Sequence, residues 1–178
     1  MDGATRMQNM IKSLLMYSRT SRDQSPLLKV DCSAVIEDVK KNLQISIQES
    51  GAVIQTDLLP TVIGYPMQLV QLFQNLISNS IKFKGASPPR VNIKVGKNDT
   101  HWQFSVNDNG IGMDPQYFER IFIIFQRLHS NEEYPGTGIG LAVCKKIVER
   151  HQGKIWVESV VNQGTTINFT ISSQLKEQ

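Results

Sequence analysis

Three short segments of this chain hold residue types that could do chemistry together. In the first, Asn75 and Asn79 stand four apart and Lys82 three further on. That spacing stacks all three on one side of a helix. Two amide oxygens and an ammonium on one stripe suit a hydrated Mg2+ with phosphates; the alternative is an exposed polar helix face. In the second, Asn107-Asp108-Asn109-Gly110-Ile111-Gly112 follows an alternating run and breaks it with two glycines. Asp108 stands where the strand ends. An ionised carboxylate only accepts hydrogen bonds, so it suits a donor such as an exocyclic amine; the alternative is a tight Asp-Asn-Gly turn. In the third, Gly136-Thr137-Gly138-Ile139-Gly140-Leu141 opens a helical pattern. Unpaired N–H groups and the positive dipole end make such a start a phosphate cradle. Its spacing and the polar loop before it differ from the dinucleotide fingerprint, and no Gly-Lys-Ser/Thr follows as in a Walker A loop. A glycine-rich helix start with no ligand is the alternative.

The elements that must position these segments are legible in outline. Residues 67–83 read as a strong helix with Leu69, Leu72, Phe73, Leu76, Ile77 and Ile81 as its apolar set. Residues 90–96 and 101–108 alternate around an Asn98-Asp99 turn, which predicts a hairpin ending at Asp108. Residues 139–151 read as a helix with Ile139, Val143, Cys144, Ile147 and Val148 inward. Asp31 or Ser33 caps a further helix with Val35, Ile36, Val39, Leu43 and Ile47 buried, ended by Gly51. Short strands are predicted at 52–56, 61–64, 154–159 and 165–172, and a helix at 115–125. Residues 126–138 are polar and marked by Gly and Pro, hence a mobile loop. Helices mixed with antiparallel strands predict an α+β fold, a two-layer α/β sandwich. Ahead of it, Met7, Met10, Ile11, Leu14 and Leu15 form the stripe of a single long amphipathic helix. Residues 19–26 are polar and end in Pro26, as a linker or hinge does.

The 178 residues are 40% hydrophobic and 20% charged, enough apolar material for a core. A net charge of +3 predicts neither a nucleic-acid binder nor a membrane-surface protein. Cys32 and Cys144 lie far apart with no partner at ligand spacing, which excludes a disulfide scaffold and a zinc finger and fits a reducing, cytoplasmic setting. No apolar run reaches the roughly 18 residues needed to span a bilayer.

Taken together and in this order, the segments resemble the ATP-binding catalytic domain of sensor histidine kinases, in the superfamily that also holds gyrase, a heat-shock chaperone and mismatch-repair ATPases. The run from Asn75 to Lys82 resembles its asparagine box, Asp108 to Gly112 the first glycine box, Phe118 to Phe125 the phenylalanine box, Gly136 to Gly140 the second glycine box, and Gly164-Thr165-Thr166 the glycine-threonine corner near the adenine. The finer pattern Ile121-Phe122-Ile123-Ile124-Phe125-Gln126-Arg127-Leu128-His129 with Tyr134-Pro135-Gly136-Thr137-Gly138 is similar to phytochrome-type and PAS-linked kinases. The N-terminal stripe resembles the second helix of their dimerisation hairpin, which would give it a partner: another helix and a second copy of the chain.

The resemblance implies the Bergerat ATP-binding fold, a mixed, mainly antiparallel sheet with helices on one face. It implies domains at 1–22 (part of the dimerisation hairpin), 23–30 (linker), 31–173 (ATP-binding catalytic domain) and 174–178 (tail). Asp108 would bind the adenine amine and Thr165 would support it. Asn79 and Asn75 would hold Mg2+, and with Lys82 form the catalytic set. Lys82 and Arg127 would neutralise phosphate charge. Gly110, Gly112, Thr137, Gly138, Gly140 and Leu141 would complete the nucleotide site, with 126–137 as its lid, disordered without nucleotide. Phe122 and Phe125 would pack beneath the lid. The implied activity is transfer of the ATP γ-phosphoryl to a histidine in two-component signalling, with ATP/ADP, a response regulator and an upstream sensory domain as partners. The alternative is a gyrase-type ATP hydrolase or nucleotide-driven clamp. There the residue four before the metal-binding Asn is a Glu that activates water; Asn75 stands in its place and cannot take a proton.

The acceptor histidine of such kinases sits on the first helix of the hairpin, and Met1 directly before a mid-hairpin helix suggests an excised fragment. His101, His129 and His151 lack the acceptor's context. His101 and His151 read as surface histidines, so the chain is expected to bind ATP without phosphorylating itself. Ser80 in place of a usual Ala, Gln152 in place of a second Gly, and one glycine fewer before Gly164 depart from the common pattern. None of these positions is expected to touch the site.

Overall fold

A computed structural model describes residues 7–8, 10–12, 14–15, 17–18, 25–128, 134 and 136–177. A five-stranded sheet runs in the order β2 (Val53–Thr56), β4 (Arg90–Lys97), β5 (His101–Asp108), β7 (Gly164–Ser172), β6 (Ile155–Val160). The β2–β4 pair is parallel and the others are antiparallel. A separate two-stranded ladder joins β1 (Leu28–Asp31) to β3 (Thr61–Gly64). Helices α1 (Cys32–Asn42), α2 (Gln44–Ser50), α3 (Pro66–Lys82) and α4 (Gly140–Arg150) accompany these strands.

The alternation of β4 and β5 decides which face the helices cover. Val91, Ile93, Phe104 and Val106 are buried and join Ile167, Phe169 and Ile171 of β7 in one core with α1, α3 and α4. The sequence-read apolar set of α3 is buried to the last residue. Phe73 is the central contact of that helix: its ring meets Phe104 at 5.8 Å and Phe169 at 5.6 Å edge-on, while those two stack at 5.1 Å. Pairs of this kind add about 0.5–1.5 kcal/mol each beyond the area they bury, so α3 is fixed to the sheet one turn before its site residues begin. The opposite face is polar. There Ser105 donates to Asn168 Oδ1 at 2.6 Å, and Asn168 Nδ2 and Trp156 Nε1 both donate to Glu158 Oε1 at 3.2 Å.

Four details differ from the sequence reading. Strand β1 was not anticipated, and it takes residues assigned to the linker; only Val30 of its four residues is buried, too short a pattern to read. The helix after Asp31 is two helices broken at Leu43, with Asp31 as the cap through a 2.8 Å bond from the Ser33 N–H. Residues 115–125 hold two single 3-10 turns, Pro115–Tyr117 and Arg120–Phe122, rather than one helix. Phe122 is half-buried against the core, whereas Phe125 is 43% exposed with φ 63°; half of the lid they were expected to pack beneath lies outside the described residues. His151 is fully buried rather than a surface residue. Its Nδ1–H donates to the Ile147 carbonyl at 2.8 Å, which leaves Nε2 to accept the Tyr65 N–H at 3.1 Å. Burial pushes the His151 pKa down, so the neutral ring clamps the end of α4 to the start of α3.

Of the N-terminal segment, the described residues within 7–18 are helical, and Met7, Met10, Ile11, Leu14 and Leu15 are all exposed. Tyr17 packs against the domain with Lys146 Nζ 4.0 Å above its ring.

Gln152 follows the last turn of α4 with φ 56°, a left-handed conformation that glycine adopts without strain. Its carbonyl accepts a 3.0 Å bond from His101 Nε2, which any residue there would keep. Gln152→Gly is therefore expected to stabilise the fold by about 0.5–1 kcal/mol, the relief of left-handed strain less the added unfolded-state entropy. Urea unfolding measures this, and a loss of stability would contradict it.

Candidate nucleotide site

Asp108 is the last residue of β5, where the strand passes from its pairing with Val91 into the glycine loop. Its Oδ1 accepts the Gly110 N–H at 2.9 Å and the Thr165 N–H at 3.1 Å; its Oδ2 accepts the Ser80 hydroxyl at 3.1 Å. Burial raises the Asp108 pKa above the usual carboxylate range, and the bonds from Gly110, Ser80 and Thr165 oppose that rise. Three donors fix the carboxylate plane and leave Oδ2 with capacity for one more.

The loop after Asp108 lies against two other elements. The Ile111 N–H donates to the Phe83 carbonyl at 3.0 Å, the Asn162 N–H to the Ile111 carbonyl at 2.7 Å, and the Met113 N–H to Ser159 Oγ at 2.9 Å. Two glycines allow this approach. A Cβ on Gly112 (φ 64°) would stand 2.0 Å from the Val160 carbonyl oxygen, and one on Gly164 (φ 105°) would stand 1.9 Å from the Asp108 carbonyl oxygen. The glycine-threonine corner is thus where the β6–β7 turn meets the end of β5.

These elements enclose a cavity of about 330 Å3. Leu76, Ile111, Met113, Ile121, Leu128, Leu141 and Ile167 supply apolar wall around Asp108 and Thr165. Asn79, Lys82, Arg127, Thr137, Gly138 and Gly140 line it as well. Helix α4 opens at Gly140 with no side-chain cap from Ile139, so its first N–H groups are left for a ligand. Burial and the neighbouring Arg127 guanidinium both push the Lys82 pKa down. Two cations converging on an uncapped helix start make an anion site.

Nearly every expected residue lies on this cavity. Asn79, Lys82, Asp108, Gly112, Arg127, Thr137, Gly138, Gly140, Leu141 and Thr165 line it, and Gly110 donates to Asp108 from its edge. Asn75 stands apart: its Nδ2 donates to the Gly140 carbonyl at 3.2 Å, so it braces the start of α4. Of the expected lid, residues 129–133 and 135 lie outside the described residues. Arg127 reaches across to the Tyr134 carbonyl at 2.8 Å.

The sequence reading missed two features. Phe83 and Tyr134 meet at 5.0 Å between ring centres on the cavity wall, with Lys82 Nζ 4.2 Å over the Phe83 ring. Ser80 was expected to be remote, yet it lines the cavity and bonds Asp108. A polar residue four after Leu76 and three after Ile77, on the apolar side of α3, was the signal available.

Lys82→Met is expected to weaken ADP binding ten- to a hundredfold, since a hydrogen bond to a charged group contributes about 1.5–3 kcal/mol. Without nucleotide the variant should melt no lower than the parent, because it removes an ammonium that burial and Arg127 both disfavour. Calorimetry and melting together check this; a lower melting point at unchanged affinity would contradict it.

Comparison with known proteins accords with this geometry. The chain is 47% identical over 95% of its length to phytochrome-like protein Cph1 of Synechocystis sp., and 47% identical over 96% to cyanobacterial phytochrome A of Nostoc sp.. It spans 23% and 22% of those two proteins. Among solved structures, the catalytic domain of histidine kinase ThkA superposes with a TM-score of 0.70 at 24% identity, covering 83% of this chain and 97% of that one. Full-length ShkA in complex with AMPPNP superposes with a TM-score of 0.78 at 24% identity, over 93% of this chain and 36% of that one. These two likenesses show a shared fold, the mainly antiparallel two-layer α/β arrangement expected from the sequence. Residues 64–175 match the family described as histidine kinase-, DNA gyrase B- and HSP90-like ATPase. With that match over the segment that builds the cavity, this chain belongs to the histidine kinase-, DNA gyrase B- and HSP90-like ATPase family.

Proposed function

We propose that the chain is the ATP-binding catalytic module of a sensor histidine kinase, presenting the γ-phosphoryl group of ATP to a histidine on a separate helix. The observation that carries this reading is one cavity with a fixed carboxylate, Asp108, on its wall and the Lys82–Arg127 pair beside the uncapped start of α4. The purine amine donates to Asp108 Oδ2, with Thr165 beside it and the ring between the apolar walls. The phosphates lie against Lys82, Arg127 and the N–H groups of Gly138, Gly140 and Leu141.

The donor set fits Mg2+ held mostly by its ligand. Among the described residues no cluster of three His, Cys, Asp or Glu side chains could hold a metal. The Asn79 amide oxygen on the cavity wall, with phosphate oxygens and waters, matches this ion's habit of taking one or two protein ligands. Asn75 lies off the cavity lining with its amide N–H on the Gly140 carbonyl, so the protein ligand of the ion is assigned to Asn79. When bound, the ion would neutralise phosphate charge.

Transfer then needs a nucleophile in line with the γ-phosphorus. An imidazole nitrogen bonds to phosphorus as the bond to the bridging oxygen breaks and ADP leaves. Among the described residues, His151 is buried with both nitrogens engaged, and His101 bonds Thr100 and the Gln152 carbonyl; His129 lies outside them. The acceptor is assigned to another helix, as the resemblance to sensor histidine kinases implies. Asn75 also argues against the gyrase-type reading, since an amide engaged by Gly140 cannot activate water. The N-terminal apolar stripe would pair with a second copy of the chain, and a response regulator and sensory domain would belong to the longer cytoplasmic assembly. No helix among the described residues is long and apolar enough to cross a membrane.

The test has two parts. Mg·ADP at 100 times its dissociation constant should add about 2.7 kcal/mol to stability in a melting series. With γ-labelled ATP the chain alone should gain no base-stable, acid-labile label and release little phosphate. A dimerisation hairpin carrying the acceptor histidine, once added, should become labelled. Rapid phosphate release with no transfer would favour the hydrolase.

A further inference from the structure

Ser80 lies inside α3 next to Asn79, only 5% exposed. Its single hydroxyl proton has two acceptors in reach: the Leu76 carbonyl at 3.2 Å and Asp108 Oδ2 at 3.1 Å. Neither can return a proton while Asp108 is ionised. Bonding the carboxylate is the stronger choice, because a charged acceptor roughly doubles the bond. Turned the other way, the hydroxyl would set its lone pairs against the anion. The Asp108 charge and the Ser80 rotor are therefore coupled.

A second hydroxyl pair lies across the base end of the cavity. Ser159 Oγ accepts the Met113 N–H at 2.9 Å and has one proton for either the Gly164 carbonyl at 2.8 Å or Thr165 Oγ1 at 2.9 Å. The Gly164 carbonyl can only accept. With the Ser159 proton there, the Thr165 hydroxyl donates to Ser159, and Thr165 Oγ1 offers a ligand lone pairs alone. Every side-chain group on this wall then faces the cavity as an acceptor.

We infer that Ser80 is a positioning residue that orients Asp108 as an obligate acceptor, and that with Ser159 it makes this end of the cavity select a purine carrying an exocyclic amine over one carrying a carbonyl. The inference rests on the nucleotide reading above and adds the residues that enforce it. Ser80 does not touch the ligand; it acts through Asp108.

The experiment is calorimetric titration of the chain and its Ser80→Ala variant with ADP and with inosine diphosphate, which carries a carbonyl where ADP has its amine. The ratio of the two affinities cancels effects on the phosphate side. Ser80→Ala should lower ADP affinity five- to tenfold and leave inosine diphosphate affinity unchanged. It should melt no lower than the parent, because Ala favours the helix interior and the bond back to Leu76 is dispensable. In an Asp108→Asn background the same change should not alter the ratio further. The pH profile gives a second readout. The groups facing Asp108 are the Gly110 N–H from its loop, the Thr165 N–H from β7 and the Ser80 hydroxyl from α3, none of which titrates. Lys82 and Arg127 line the same cavity, and the nucleotide ratio removes their contribution. Burial raises the Asp108 pKa and Ser80 opposes it, so without Ser80 the preference for ADP should fade at a higher pH on acidification. If the parent chain binds neither nucleotide, the nucleotide reading itself is overturned. If the parent prefers ADP but Ser80→Ala leaves ratio and pH profile unchanged, or weakens both nucleotides equally, only the role of Ser80 is overturned.

Discussion

Asp108→Asn should weaken ADP binding by about 2–3 kcal/mol, roughly thirty- to a hundred-and-fiftyfold, while the protein stays folded. The substitution preserves shape. The amide oxygen can keep the Gly110 and Thr165 N–H bonds made by Oδ1. The new NH2 group can donate to Ser80 Oγ, whose own proton then turns to the Leu76 carbonyl. What changes is the face shown to the ligand: a second amide proton meets a purine amine, donor against donor. The effect should therefore appear in affinity and not in melting temperature. Unchanged ADP affinity in a folded Asp108→Asn protein would refute the assignment of Asp108 as the base anchor.

Gly164→Ala should act on the fold and the site together. The added Cβ would lie 1.9 Å from the Asp108 carbonyl oxygen, at a φ of 105° that side chains rarely adopt. Backbone faces it on the other side, so β7 must move away from the end of β5. The Thr165 N–H bond to Asp108 would be lost with that movement. Strain and clash together should cost about 3 kcal/mol or more, in the range reserved for backbone-incompatible changes, and ADP binding should fail. Gly96→Ala is the control: nothing lies within 4 Å of its added Cβ, and it should stay within about 0.5 kcal/mol of the parent. Equal urea midpoints for the two variants would contradict the account.

The parts legible in the sequence were those set by local pattern. The apolar face of α3, the hairpin that ends at Asp108 and the glycine run that opens α4 each announce themselves within one or two turns of chain, and each lies where the pattern put it. What escaped was decided by distant neighbours. His151 is buried because the Tyr65 N–H, 86 residues away in sequence, needs an acceptor. Ser80 matters because the end of β5 passes beside α3, a contact that helical periodicity does not encode. Residues 115–125 have the periodicity of a helix, but Asp114 caps only a single turn and Phe125 turns left-handed to donate its N–H to the Gly138 carbonyl at 3.0 Å. Asn75 lies off the cavity that Asn79 and Lys82 line, and its engagement by Gly140 emerges only once α4 is packed against α3.

The central claim is that one cavity holds ATP with its purine on Asp108 and its phosphates at the start of α4. A crystal structure of the chain grown with Mg2+ and a non-hydrolysable ATP analogue tests this most directly. The expected result is the purine amine within hydrogen-bond distance of Asp108 Oδ2, with the phosphates against Lys82 and the N–H groups of Gly138 and Gly140. A purine bound elsewhere, or phosphates remote from Lys82 and α4, would contradict the account.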